Sequence, residues 1–238
     1  MALLLYYITD RRQFPGDRNE RERRLLEKIA ECAAAGVDFV QLREKDLSIR
    51  LLEELAHKAM AALGSSRTRL LINSRTDVAL ACGAHGVHLP ANDLPASEMR
   101  AIFSRATSTA PGIVTRGIFT PGIVTPVILT PVVGVSAHSA AEVASAEAHG
   151  ADFSVFAPVF EKVGENGGTV NREGLEQLRR ICHRTDAAQP SMPVLALGGI
   201  TLENAQQCVA AGAAGIAAIR LFQENSVDAV VKRLRQTV

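Results

Sequence analysis

The chain of 238 residues has no tryptophan, and its aromatic fraction is 4%. So few rings argue against a surface on which nucleic-acid bases stack. An excess of one charge sign is also missing: Lys plus Arg number 26 against 25 Asp plus Glu, a net charge of +1. That balance offers no attraction to nucleic acid or to an anionic membrane surface. No CxxC pair occurs among Cys32, Cys82, Cys182 and Cys208. The expectation is reduced, buried thiols in a cytoplasmic protein, with neither a metal site nor a disulfide. Long polar tracts are absent too, and 47% of the residues are apolar, which suits one domain with a large core spanning 1–238. The opening MALLLYYITD lacks a basic region and a small-residue cleavage site, and reads as a first strand.

What is present is alternation. Apolar β-prone runs at 3–8, 37–42, 69–73, 85–89, 132–136, 152–157, 193–197 and 215–219 are read as strands. Helical patterns lie near 20–36, 48–63, 76–82, 95–104, 139–149, 171–184, 201–211 and 225–236. Eight strands in strict alternation with eight helices predict an α/β fold, a parallel (β/α)8 TIM barrel; an open doubly wound sheet is the alternative, and the count of eight decides against it. Gly36, Gly83, Gly150 and Gly212 each stand where a helix ends and turns into the next strand. One segment breaks the rhythm. At about 107–131 a five-residue repeat, PGIVT-RGIFT-PGIVT-PVILT-P, is read as an insertion between the fourth helix and the fifth strand. Its prolines exclude a transmembrane helix.

The strand ends of such a barrel converge on one mouth. Residues 41–45, QLREK, end the second strand, and period-two alternation puts Gln41, Arg43 and Lys45 on one face as a receptor for a polyanion. Asn73, His88 or Asp93, Ser136 and His138 follow at the next strand ends, then Gly198-Gly199 and Ile219-Arg220. Glycine amides after strands 7 and 8 commonly bind phosphate, and Thr201 is placed to N-cap the helix that follows. Asp93 is placed to hold a divalent metal on a diphosphate. Taken singly, these residues have plainer readings: Arg43, Glu44 and Lys45 as a solvated turn, Asn73 as a cap, His138 as packing at a helix start. Together they favour a site for a phosphorylated ligand.

The motifs QLREK at 41–45, LINSRTD at 71–77, GVHL at 86–89 with DLP at 93–95, GVSAH at 134–138, PVF at 158–160 and ALGGI at 196–200 resemble the thiamine-phosphate synthase/TenI superfamily. The resemblance runs in order from Tyr6 to about Leu221, interrupted by the pentapeptide segment. It implies an enzyme that joins hydroxymethylpyrimidine diphosphate to a thiazole phosphate and releases pyrophosphate. On that reading Gln41, Arg43, Lys45 and Asn73 hold the pyrimidine diphosphate, Asp93 binds Mg²⁺, and Ser136 meets the departing pyrophosphate. Gly199 and Ile219 lie at the thiazole phosphate, Gly198 and Arg220 join the substrate-binding residues, and Arg43, Lys45, Ser136 and His138 form the catalytic set. The partners are small phosphorylated heterocycles, in an arrangement compatible with a homodimer.

Three departures from the synthase pattern stand out. Ser74 replaces a carboxylate after Asn73, EKVGE at 161–165 replaces a threonine- and lysine-bearing loop, and Arg220 replaces a small polar residue. They lean toward the TenI branch, which resembles thiazole tautomerases that need no metal and use a histidine in the position of His138 as acid and base. A non-catalytic protein that binds thiazole phosphate or thiamine phosphate is the third alternative.

Overall fold

β-Prone runs too short to stand alone become stable here by pairing on both sides. In the computed structural model, which describes residues 2–109, 130–160, 172–183 and 192–236, the strands are β1 (Leu4–Ile8), β2 (Phe39–Leu42), β3 (Arg69–Asn73), β4 (Gly86–Leu89), β5 (Val132–Ala137), β6 (Phe153–Phe156), β7 (Val194–Ala196) and β8 (Gly215–Ala218). Each pairs in parallel with the next, and β8 returns to β1 through Leu4↔Gly215 and Tyr6↔Ala217, so the barrel is closed. Closure excludes the open doubly wound sheet. The outer helices are α1 (Arg18–Ala35), α2 (Ile49–Leu63), α3 (Thr76–Cys82), α4 (Ala96–Thr109), α5 (Ala140–Ala148), α6 (Arg172–Cys182), α7 (Ala205–Ala210), α8 (Arg220–Gln223) and α9 (Val227–Arg235). None of the described helices is long and apolar enough to cross a membrane.

Local chemistry sets the helix ends. The Asp17 carboxylate accepts the Glu20 amide at α1 and the Ser48 hydroxyl accepts the Leu51 amide at α2. Gly36 closes α1 at φ +77°, a left-handed turn in which its amide reaches back to Ala33 and Cys32. Gly83, Gly150 and Gly212 also have positive φ, as expected of helix-to-strand turns.

Period-two alternation separates two cores. Outward-facing Leu5, Tyr7, Val40, Leu42, Ile72, Val87 and Val133 pack under the helices. Inside the barrel, Tyr6, Ile8, Leu71, Val132, Phe153, Val155, Leu195 and Ala217 form a second cluster. Tyr6 meets Phe153 edge-on at 5.4 Å between ring centroids and Phe39 at 5.8 Å, so scarce aromatics plug the barrel floor. Gly134 makes room for them: a Cβ there would come within 2.5 Å of the Phe153 ring. All four cysteines are free thiols; Cys32, Cys82 and Cys208 are buried and Cys182 is partly so, and burial pushes the Cys82 and Cys182 thiols up to about 11.

The structure departs from the sequence reading in several places. A 3-10 turn at Arg11–Gln13 and the short helix α8 were not anticipated. Helix α7 begins at Ala205, later than expected. Thr201 caps the turn that leads into it: its hydroxyl accepts the Glu203 amide at 3.3 Å and its carbonyl accepts the Ala205 amide at 3.1 Å. Asn204 closes the same turn from its other end, accepting the Thr201 amide at 2.8 Å and donating to the Gly199 carbonyl at 2.9 Å. The expected insertion lies outside the described residues from 110 to 129, and α4 runs through Thr109. Just before β5, the Pro131 carbonyl accepts Arg100 Nη1 at 2.8 Å.

Candidate active site

The parity that buries Tyr6 and Leu71 also decides which strand-end side chains face the mouth: Gln41, Asn73, His88 and Ser136 occupy inward positions. Gln41 is 2% exposed, and its Nε2 donates to Asn73 Oδ1 at 2.9 Å, bridging β2 and β3. Asn73 Nδ2 donates to the Ser74 hydroxyl at 3.1 Å. Ser74 has φ +59°, an uncommon conformation for a non-glycine residue, held by its amide donating to the His88 carbonyl at 2.9 Å. Lys45, Asn73, Ser74 and Arg75 line one cavity of about 220 Å³.

Strand β2 stops at Leu42, so Lys45 sits in the following turn and not on the strand face expected for it. Arg43, one residue past the strand, is half-buried, and its charge acts on His88 inside the mouth. Neither Arg43 nor Lys45 forms an ion pair among the described residues. Unpaired cations at a mouth are what an anion receptor requires. The solvated-turn reading fails for Glu44, which is 4% exposed and holds Thr9 and Arg11.

His88, only an alternative to Asp93 in the sequence reading, proves central. It is 2% exposed, with Nε2 2.9 Å from Ser136 Oγ and Nδ1 3.2 Å from the Tyr6 hydroxyl. Burial, reinforced by the positive charge of Arg43, lowers its pKa to about 3, so the ring is neutral at physiological pH. Burial also raises the Tyr6 hydroxyl well above its usual range. A neutral chain of hydrogen bonds from Tyr6 through His88 thus orients the Ser136 hydroxyl. A polar residue at an inward position of a strand otherwise facing an apolar interior was the available signal for it.

His138 is exposed at the start of α5. Its amide donates to Glu142, and its Nδ1 donates to the Ala157 carbonyl at 2.7 Å, because a carbonyl can only accept. That bond fixes the tautomer and leaves Nε2 as an acceptor. Ala157 also borders a second, larger cavity of about 590 Å³, together with Gly198, Gly199, Ile219, Arg220 and Leu221. Gly198 has φ +107°, and a Cβ there would stand 3.0 Å from Pro158 Cα, so only glycine fits. Ile219, Arg220 and Leu221, where the chain leaves β8 for α8, form part of this cavity's wall, at the place where barrels of this kind take phosphate.

Asp93 lies apart, exposed in the loop after β4, with Oδ1 accepting the Leu94 amide at 2.8 Å. Among the described residues no cluster of three His, Cys, Asp or Glu side chains could hold a metal. The 161–165 segment, including Lys162, lies outside the described residues.

Fold and site together define a (β/α)8 barrel protein whose candidate site fills the C-terminal mouth of the strands. A family described as thiamine monophosphate synthase matches residues 5–108 and 127–222, leaving most of the proline-rich repeat unmatched. A putative thiamine-phosphate synthase 2 of Aquifex aeolicus is 36% identical over 220 residues, covering 92% of this chain and 97% of that protein. The thiamine-phosphate synthase of Methanoculleus marisnigri is 33% identical over 239 aligned positions, 100% of this chain and 96% of its own. The solved thiamine phosphate pyrophosphorylase of Pyrococcus furiosus superposes with a TM-score of 0.67 at 28% identity, over 99% of this chain and 95% of that one. The chain belongs to the thiamine monophosphate synthase family.

Proposed function

We propose that this protein is a thiamine-phosphate synthase, a transferase that joins hydroxymethylpyrimidine diphosphate to thiazole phosphate and releases pyrophosphate. The observation that carries the reading is one mouth with two anion-receiving sides: unpaired Arg43 and Lys45 beside the Gln41–Asn73 pair, and the glycine-lined cavity of Gly198, Gly199 and Ile219–Arg220.

Breaking the bond between the pyrimidine methylene and the diphosphate builds negative charge on the leaving group, which Arg43 and Lys45 stabilise from fixed positions. The Gln41–Asn73 bond keeps both amides from rotating, and Ser136, oriented by His88, offers its hydroxyl to the same leaving group. The thiazole nitrogen then needs only to be held near the methylene carbon, which anchoring its phosphate at Gly199 and Ile219 accomplishes. Asp93 would hold Mg²⁺ through its one carboxylate, the ion taking its remaining ligands from diphosphate and water. When bound, that ion neutralises charge on the diphosphate.

A second reading, thiazole-phosphate tautomerase, draws on the fixed tautomer of His138, whose Nε2 is free to exchange a proton beside the larger cavity. Two assays on the purified chain separate them. Thiamine phosphate should form from both substrates with Mg²⁺ and fall roughly a hundredfold or more in Arg43→Ala. Isomerisation of a thiazole carboxylate phosphate, lost in His138→Ala and indifferent to chelator, with no thiamine phosphate formed, would replace the synthase reading.

A further inference from the structure

We infer that Arg11 is a positioning residue for the anion receptor at the end of β2, acting by neutralising Glu44 and Asp46 beside Arg43 and Lys45. The inference rests on the reading that Arg43 and Lys45 receive a diphosphate. Residues 43–46 read Arg-Glu-Lys-Asp, so the receptor's own charges cancel. A polyanion approaching it would meet two carboxylates next to its two cations.

The fold resolves half of this conflict by burying Glu44, just past β2, against the residues that follow β1. There the Thr9 hydroxyl donates to its Oε1 at 2.7 Å, the Arg11 amide contacts both oxygens at 3.1 and 3.2 Å, and Arg11 Nη1 donates to Oε2 at 2.9 Å. The same guanidinium takes Asp46 with two parallel bonds, Nη1 at 2.7 Å and Nη2 at 2.8 Å. Thr9 Oγ1 also accepts the Arg43 amide at 2.9 Å, so the backbone of the receptor is tied to the same cluster. One buried guanidinium therefore spans the two carboxylates that flank Lys45 and leaves the segment with a net positive charge. Lysine lacks the planar fork this needs. Consistent with these bonds, Asp46 is held below the usual carboxylate range by Arg11, and Arg11 is pushed above its own by Asp46 and Glu44.

The test measures binding of inorganic pyrophosphate with Mg²⁺ by calorimetry on the full chain, with unfolding monitored in parallel. Arg11→Met should weaken pyrophosphate roughly tenfold or more, because removing one partner strands two negative charges beside the receptor. Arg11→Lys should not restore it, whereas Arg11→Met with Glu44→Gln and Asp46→Asn should return to within about threefold of wild type. Asp46→Asn alone, at a half-exposed position that does not threaten folding, should tighten binding by roughly twofold to threefold, since it frees positive charge. Arg43→Ala is the control: unchanged pyrophosphate affinity there removes the diphosphate reading and this inference with it. If Arg43→Ala weakens binding while Arg11→Met does not, or Asp46→Asn weakens it, charge masking by Arg11 is overturned and the synthase reading stands.

Discussion

Replacing His88 with Asn should flatten the acid limb of this barrel's stability curve. The wild-type ring is buried, neutral and bonded at both nitrogens, and its pKa falls to about 3 from an ordinary 6.5, chiefly through burial and secondarily through Arg43. A base with a depressed folded pKa destabilises on the acid side. Above pH 6.5 the ring is neutral folded and unfolded and adds no slope; below it, the unfolded chain binds a proton that the folded one refuses, until the pH nears 3. Those two pKa values give a loss of about 2 kcal/mol at pH 5 and about 3 kcal/mol at pH 4, relative to pH 8. Asn keeps a polar group at the site and does not titrate, so other groups cancel in the comparison. The assay is urea unfolding of both proteins at pH 8, 6, 5 and 4. With a slope near 2 kcal/mol per molar, the wild-type midpoint should drop by about 1 M more than that of the variant by pH 5. A wild-type-minus-variant difference that is the same at pH 8 and pH 5 would refute the reasoning and place a protonated, water-reached ring in the barrel.

Two further outcomes follow from geometry. Gly198→Ala sets a side chain on a backbone at φ +107°, with Pro158 Cα 3.0 Å away. It should destabilise by about 1–3 kcal/mol in chemical denaturation and raise the KM for thiazole phosphate more than that for the pyrimidine diphosphate. Ser74→Asp should be tolerated, because Asp adopts the left-handed φ of +59° more readily than most residues. An added carboxylate there should lower the Mg²⁺ concentration for half-maximal activity roughly tenfold, and an unchanged Mg²⁺ titration would count against a metal ion bound near position 74.

Much of the barrel was legible because its signals are local. Strand β3 was expected at 69–73 and is Arg69–Asn73; β5, expected at 132–136, is Val132–Ala137. Apolar runs, helix periodicity and glycine turns each act over a few residues, and eight of them in alternation permit few closures. The inward parity of Gln41 and Asn73 was readable for the same reason. The position of Lys45 was not, because where β2 stops is decided by Glu44 and Asp46 bonding to Arg11, 33 and 35 residues away. The capping role of Thr201 was readable, whereas the Asn204 side chain that bonds back to the Thr201 amide was not.

By itself, the sequence determined the eightfold alternation, the family motifs and the list of polar residues at strand ends, all properties of composition and short-range spacing. Tertiary structure alone decided which of those residues meet: His88 with Ser136 across 48 residues, Tyr6 with His88 across 82, and Glu44 with Thr9 and Arg11 beneath the receptor. The reason is physical. A side chain's charge state and direction depend on its desolvation and its partners, and in a closed barrel both come from strands distant in the chain.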